Sequence, residues 1–340
     1  VTNTESGGTP DTITFGDIYW GGKKCIFDVT DTAKVTALLD ESTGEYQYNV
    51  GGNLYIYTFR NGSFTPTNGT ASAVSLMSDP SLAYQWDSNK LMANCAFAIV
   101  KLVYNADAGL TGLQQTRFQI TNSRSAPGDC LRDYLTSSRY GAALTLAQVD
   151  TTSLTALNTY CAGSFTYSPS TGGSATQTRF RFDGTVDTAQ TVMNNLQQMA
   201  ASCDCLLRYN EISAKWGVIV QSPTYAVSMA ITDSNMVSAI QITPTDLSST
   251  PNIVETKFAN SREKDSFASA TFSLSQLAPS LLYPNEPVNK ISASLPLVNN
   301  DVRAQYIATR LLKAGREDLA VKVSIDYTGL QLEAGDVVTV

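Results

Sequence analysis

Apolar and polar residues alternate with a period near two over much of residues 12–124. Stretches 24–29, 45–50 and 53–60 are rich in β-branched and aromatic types, and Gly51-Gly52 between the last two predicts a tight hairpin. The pattern implies an antiparallel sheet. Asn61-Gly62 and Asn68-Gly69 read as turns, although each also begins an Asn-x-Ser/Thr glycosylation pattern.

From 125 to 235 the period lengthens to that of helices. Ser125 and Pro127 open a helix carrying Leu131, Tyr134 and Leu135. Thr152 is placed to cap a second through Leu154, Leu157 and Cys161, with Gly163 as its stop, and a third runs from Thr188 through Val192, Leu196 and Met199. Segments 205–209 and 215–220 make a hairpin laid against that third helix. Strands return at 236–243, 252–258, 266–274, 288–295 and 319–327. One helix interrupts them over 301–314, with Asn299 or Asn300 as cap and Gly315 just beyond its end.

These elements predict a mainly β fold with α+β insertions. The expected divisions are a flexible N-terminal segment 1–11, a β-rich domain 12–124, an α+β domain 125–235, and a β domain with one packed helix, 236–340. A chain of 340 residues is long enough for two or three domains. Its hydrophobic share of 43% is ordinary, whereas its charged share of 16% is below the usual value of about 25%, so charge-driven disorder is excluded.

The sequence contains no histidine. That removes Ser-His-Asp triads, Cys-His pairs and His-ligated zinc at one stroke. A formal charge of -7 has the wrong sign for a broad grip on phosphate backbones. The longest apolar run, 95–104, contains Lys101 and falls short of the roughly 20 residues that a membrane-crossing helix needs. The chain lacks an initiator Met and stops inside an apolar strand at 335–340, so we expect a piece of a longer protein.

Candidate chemistry is sparse. Gly16-Asp17-Ile18-Tyr19-Trp20-Gly21-Gly22-Lys23-Lys24 approaches a phosphate-binding loop, but the Lys is displaced and no Ser or Thr follows it, which leaves a glycine turn after a strand. Ser261-Arg262-Glu263-Lys264 has Ser-x-x-Lys spacing without the companion segments of acyl-transfer enzymes. Cys25, Cys95, Cys130 and Cys161 read as small buried hydrophobes; Cys203 and Cys205 are closely spaced, but no second pair completes a metal set. Carboxylate pairs that could flank a glycosidic bond are Asp183 with Asp187, Asp129 with Asp133, and Glu333 with Asp336, and a helix-capping role accounts for Asp187. No catalytic, cofactor-binding or metal residue is assigned, and no cofactor is expected.

Several stretches, in order, resemble the central hub or tip-attachment proteins of long non-contractile bacteriophage tails, the lambda-like tip-attachment family. They are 15–22 with its glycine pair; 126–135 followed by Arg139-Tyr140-Gly141; 182–188; Trp216-Gly217; Asn252-Ile253-Val254-Glu255; 304–308 leading to Arg316; and Gly335-Asp336-Val337-Val338. The sequence departs from the family at Gly128-Asp129, where a small apolar pair is usual, and at Arg303-Ala304-Gln305, while 60–90 matches nothing in it. The resemblance implies tail-tube-like β-barrel hub domains with peripheral domains, arranged as a homotrimeric ring at the distal end of the tail of the virion. Implied partners are the tail tube and distal tail proteins, the tape-measure protein, tail fibres, and the host envelope through a part beyond Val340. DNA would pass without specific binding, helped by an acidic lumen, and strands in 45–60 and 252–274 would supply the subunit interface. Two other readings remain open at this level: a β-rich glycan-binding adhesin and a carboxylate-pair cell-wall glycosidase.

Overall fold

A computed structural model describes residues 13–60, 65–77, 89, 92, 95–168, 174–222, 226–248, 250–260, 267–316 and 319–340. The segment 1–11, the Asn61-Gly62 turn and Ser261 to Lys264 lie outside the described residues. The chain forms two compact units, residues 1–124 and 125–340.

In the first unit, strands β1 (Ile13–Trp20), β2 (Lys23–Phe27), β3 (Val35–Asp40) and β4 (Glu45–Gln47) are followed by β5 (Leu54–Phe59). A short helix α1 (Ala73–Met77), β6 (Phe97–Leu102) and β7 (Thr116–Asn122) complete it. Its sheet runs β4-β3-β2-β1-β7, and β5 pairs separately with β6. Every strand pairing here is antiparallel. Ile18, Trp20, Cys25, Val35 and Leu38 meet Leu54 and Ile56 in one core, and the pairs Ile18 with Trp20 and Leu54 with Ile56 keep the period of two. The Gly51-Gly52 hairpin does not form: β4 pairs with β3 and β5 with β6, because the turn between them carries the chain from one sheet to the other.

Asn68 is a structural turn residue. Its Oδ1 accepts from Thr58 N at 2.7 Å, and its Nδ2 donates to the carbonyls of Ile56 at 2.8 Å and Thr32 at 3.0 Å. Asp28 organises the turn before β3. Its Oδ1 accepts from the Thr30 hydroxyl at 2.7 Å and from the amides of Thr30 and Asp31, and the hydroxyl bond leads in holding its carboxyl at about 2 rather than 3.8. A depressed acid contributes stability above its unfolded value and loses it as pH falls through the folded one. The melting-temperature gap between wild type and Asp28→Ala is therefore expected to be constant above about pH 5 and to narrow progressively between about pH 5 and pH 1. A gap as wide at about pH 2 as at about pH 7 would contradict this assignment.

The second unit contains α2 (Pro127–Thr136), α3 (Thr151–Ala162), β8 (Ser164–Tyr167), β9 (Ala175–Thr178), α4 (Val192–Ala201), β10 (Cys205–Asn210) and β11 (Lys215–Val220). It continues with β12 (Val227–Ala230), β13 (Gln241–Pro244), β14 (Ile253–Ala259), β15 (Phe267–Ser273), α5 (Leu274–Leu277), β16 (Lys290–Leu295), α6 (Asp301–Ala314), β17 (Leu319–Lys322) and β18 (Val337–Thr339). Asp150, not Thr152, caps α3, accepting from the amides of Thr152 and Ser153. Helix α4 begins later than the apolar period suggests, because Asp187 bonds Ala189 N in a turn and Thr191 is the cap. Helix α6 has the expected bounds, with the Asn300 side chain accepting from Arg303 N and Gly315 at its end.

No division separates 236–340 from the preceding residues. Leu131, Leu157, Leu196, Met199 and Val218 share one core with Phe258, Leu295, Leu297, Ala304 and Ile307, so both stretches bury the same apolar surface. The three-stranded sheet β15-β14-β16 carries α6, with Val254 and Leu274 against Ala308 and Leu312. Around it stand four two-stranded ribbons, β8-β9, β10-β11, β12-β18 and β13-β17. The architecture is mainly β with α insertions. The expected β-barrels are not closed among the described residues, since every sheet ends on open edges.

Candidate functional site

The near-motifs of the sequence resolve into structural features. Lys24, at the end of the glycine-containing β1-β2 turn, pairs with Asp17 at 2.6 Å, so the loop cradles no anion with it. Cys203 and Cys205 sit with their sulfurs 3.5 Å apart beside Cys161, all three buried. Burial pushes the Cys203 thiol well up, which leaves it un-ionised. Among the described residues no group of three or more His, Cys, Asp or Glu could hold a metal ion, and no helix is long and apolar enough to cross a membrane.

The carboxylates are each engaged. Asp129 pairs with Arg132 at 3.3 Å, and Asp133 accepts from the Tyr140 hydroxyl at 2.6 Å. Glu333 bridges Arg208 at 2.9 Å and Asn210 at 2.5 Å, and Asp336 accepts from Glu333 N at 2.8 Å. Asp183 lies between Arg303 and Arg181, 2.9 Å from the first and 2.7 Å from the second. Asp187 is spent on its turn and shares none of this network's bonds.

A further network, which the sequence reading missed, locks α3, α6 and the turn before β10. Asp204 accepts from Arg310 Nε at 2.9 Å and from the Tyr160 hydroxyl at 3.2 Å, while Arg179 lies 4.2 Å from the Tyr160 ring centroid. Burial raises the Asp204 carboxyl, and the Arg310 and Tyr160 bonds oppose it. Residues this far apart in sequence carry no local signal of their meeting.

What remains unsatisfied is apolar surface. In the β13-β17 ribbon Ile242 lies opposite Val321 and Pro244 opposite Leu319, whereas Gln241 with Lys322 and Thr243 with Ala320 occupy the other face. The apolar face is bare: Ile242 is 61% exposed, Leu319 58% and Val321 48%. Val237 and Ile240, leading into β13, are exposed as well, as are Tyr327 and Leu330 after β17. Val227 and Val340 extend the apolar exposure to the β12-β18 pair. Of the strands expected to form an interface, Leu54, Ile56, Val254, Thr256 and Phe258 are buried, because β5 packs under the first sheet and β14 is the central strand beneath α6, whereas Tyr46 and Tyr48 are exposed.

No family model matches the chain, and no curated protein matches it. Among solved structures its fold is similar to that of a chain in the virion of a native gene transfer agent particle, at 11% identity and a TM-score of 0.51. That likeness covers 100% of this chain and 74% of the other. It is a likeness of fold, reached with little sequence in common.

Proposed function

We propose that this chain is a structural subunit of a phage-like particle: a tail-tip hub that forms a homotrimeric ring at the distal end of the tail tube. The observation that carries the reading is the bare apolar face of the β13-β17 ribbon. A two-stranded ribbon is marginal by itself, and an exposed apolar strand pair invites association. In a cyclic ring each subunit offers one patch to a different patch of its neighbour, so ribbons left open in one chain close between chains. The fold likeness to a chain of a gene transfer agent virion supports the same setting.

In this role the protein does its work through shape. The net charge of -7 suits a conduit that DNA slides through, since only cationic surfaces gain from counterion release. Tail tube and distal tail proteins, the tape-measure protein and tail fibres would then be its neighbours, and the host envelope its target. The double substitution Ile242→Lys with Val321→Asp tests the surface, since it charges the apolar face while placing unlike charges opposite each other across the ribbon. A folded chain that sediments as a monomer is expected while wild type assembles. A variant that assembles as wild type does would remove the ribbon from the interface.

A further inference from the structure

Three buried cysteines converge at one place in the core of the second unit. Cys161 lies in the last turn of α3, Cys203 in the turn after α4, and Cys205 opens β10. The sulfurs of Cys203 and Cys205 are 3.5 Å apart, and Cys161 lies within hydrogen-bonding reach of Cys203. The Cys203 thiol donates to the carbonyl of Met199 at 3.3 Å, so in the contact between the two sulfurs Cys205 is the donor and the side chains face each other. Cys25 shows the ordinary use of a buried cysteine, packed among Ile18, Trp20 and Leu38.

The backbone between the pair is unusual. A strand advances about 3.3 Å per residue, which would set alternate Cα atoms about 6.6 Å apart, near the outer limit of about 6.8 Å for a disulfide. Asp204 instead holds a left-handed φ of 55° inside a turn, which draws the two cysteines closer. Outside glycine that conformation persists where neighbours impose it. Here Arg310 and Tyr160 do so, since both donate to the Asp204 carboxylate.

We propose that Cys203 and Cys205 are a redox pair that closes to an intrachain disulfide, with a low-molecular-weight disulfide such as oxidised glutathione as the oxidant. One cysteine, as its thiolate, attacks a sulfur of the small disulfide and expels one thiolate. The other then attacks the protein sulfur of the mixed disulfide and expels the second. The protein gives up two electrons and two protons, and the small disulfide takes them up as two thiols. Both sulfurs are buried, so exchange proceeds during opening of the 202–205 turn and is slow. The pair is a dithiol in a reducing compartment and a disulfide in an oxidising one. It stands or falls separately from the ring.

The test is incubation of the full chain in a glutathione redox buffer, followed by alkylation of free thiols and mass spectrometry of the intact chain and its peptides. The expected product is two hydrogens lighter, joins Cys203 to Cys205, and leaves the other four of its six cysteines alkylated. Cys161→Ala should give the same product. The ratio of disulfide to dithiol is expected to exceed that of the urea-unfolded chain in the same buffer by about tenfold or more, because the fold holds the sulfurs together. A ratio that falls short of that overturns the proposal. So does a chain that stays reduced, one that stops at the glutathione adduct, or one that pairs either cysteine with another.

Discussion

Arg303→Met is expected to destabilise the second unit by about 3 kcal/mol in urea unfolding. The Arg303 side chain is 7% exposed and that of Asp183 is 13% exposed, and the two meet at 2.9 Å. Nη1 also donates to Asn299 Oδ1 at 3.2 Å. Burial pulls the guanidinium below its usual value while Asp183 pulls it back, so the pair survives only as a pair. Removing one member strands the other's charge, which typically costs 3–5 kcal/mol; the low end applies because Arg181 still bonds Asp183 Oδ1 at 2.8 Å. Asp183→Asn placed on top of Arg303→Met should then cost less than it does in wild type. Strict additivity of the two substitutions would contradict the account.

Gly128→Val should be at least as damaging. A Cβ at Gly128 would stand 2.1 Å from the carbonyl oxygen of Leu154 and 2.8 Å from Asn158 Oδ1, and both belong to the neighbouring helix α3. The glycine amide donates to that same Asn158 oxygen at 2.7 Å, so α2 and α3 touch through backbone there. Overpacking a tight contact costs about 1–3 kcal/mol when side chains can yield, and backbone yields less, so a loss of about 3 kcal/mol or more is expected. Calorimetry on the purified variant measures it, and a loss under about 1 kcal/mol would mean that the helices separate freely. Gly141 makes a comparable approach, with its Cβ position 1.8 Å from Tyr134 O.

These glycines show what could be read from the sequence and what could not. Gly128 stood out as a departure from the tip-attachment pattern, but its reason lies in a helix 26 residues further on. Helix α6 was legible end to end, since Asn300, its apolar stripe and Gly315 are local signals that agree. The β10-β11 hairpin was legible for the same reason. Strand partnership was not: Gly51-Gly52 announces a turn, and nothing local says whether the next strand stays in the sheet. Caps shifted by a few residues wherever a neighbouring Asp competed, as at Asp150 and Asp187.

The candidate surface was half visible. The alternation Ile240-Gln241-Ile242-Thr243 and Leu319-Ala320-Val321-Lys322 marks two amphipathic strands. Alternation ordinarily means that the apolar face is buried within the chain, and only the fold reveals that here it is bare. The arginine contacts of Asp183, Asp204 and Glu286 could not be foreseen, because each joins residues more than 25 apart in sequence.

The most direct test is a reconstruction by electron cryo-microscopy of the assembled particle that contains this chain. It should show copies around a three-fold axis, each covering Ile242, Leu319 and Val321 of the next. A particle in which that face stands in solvent, or in which the chain occurs as a single copy off the axis, would contradict the ring.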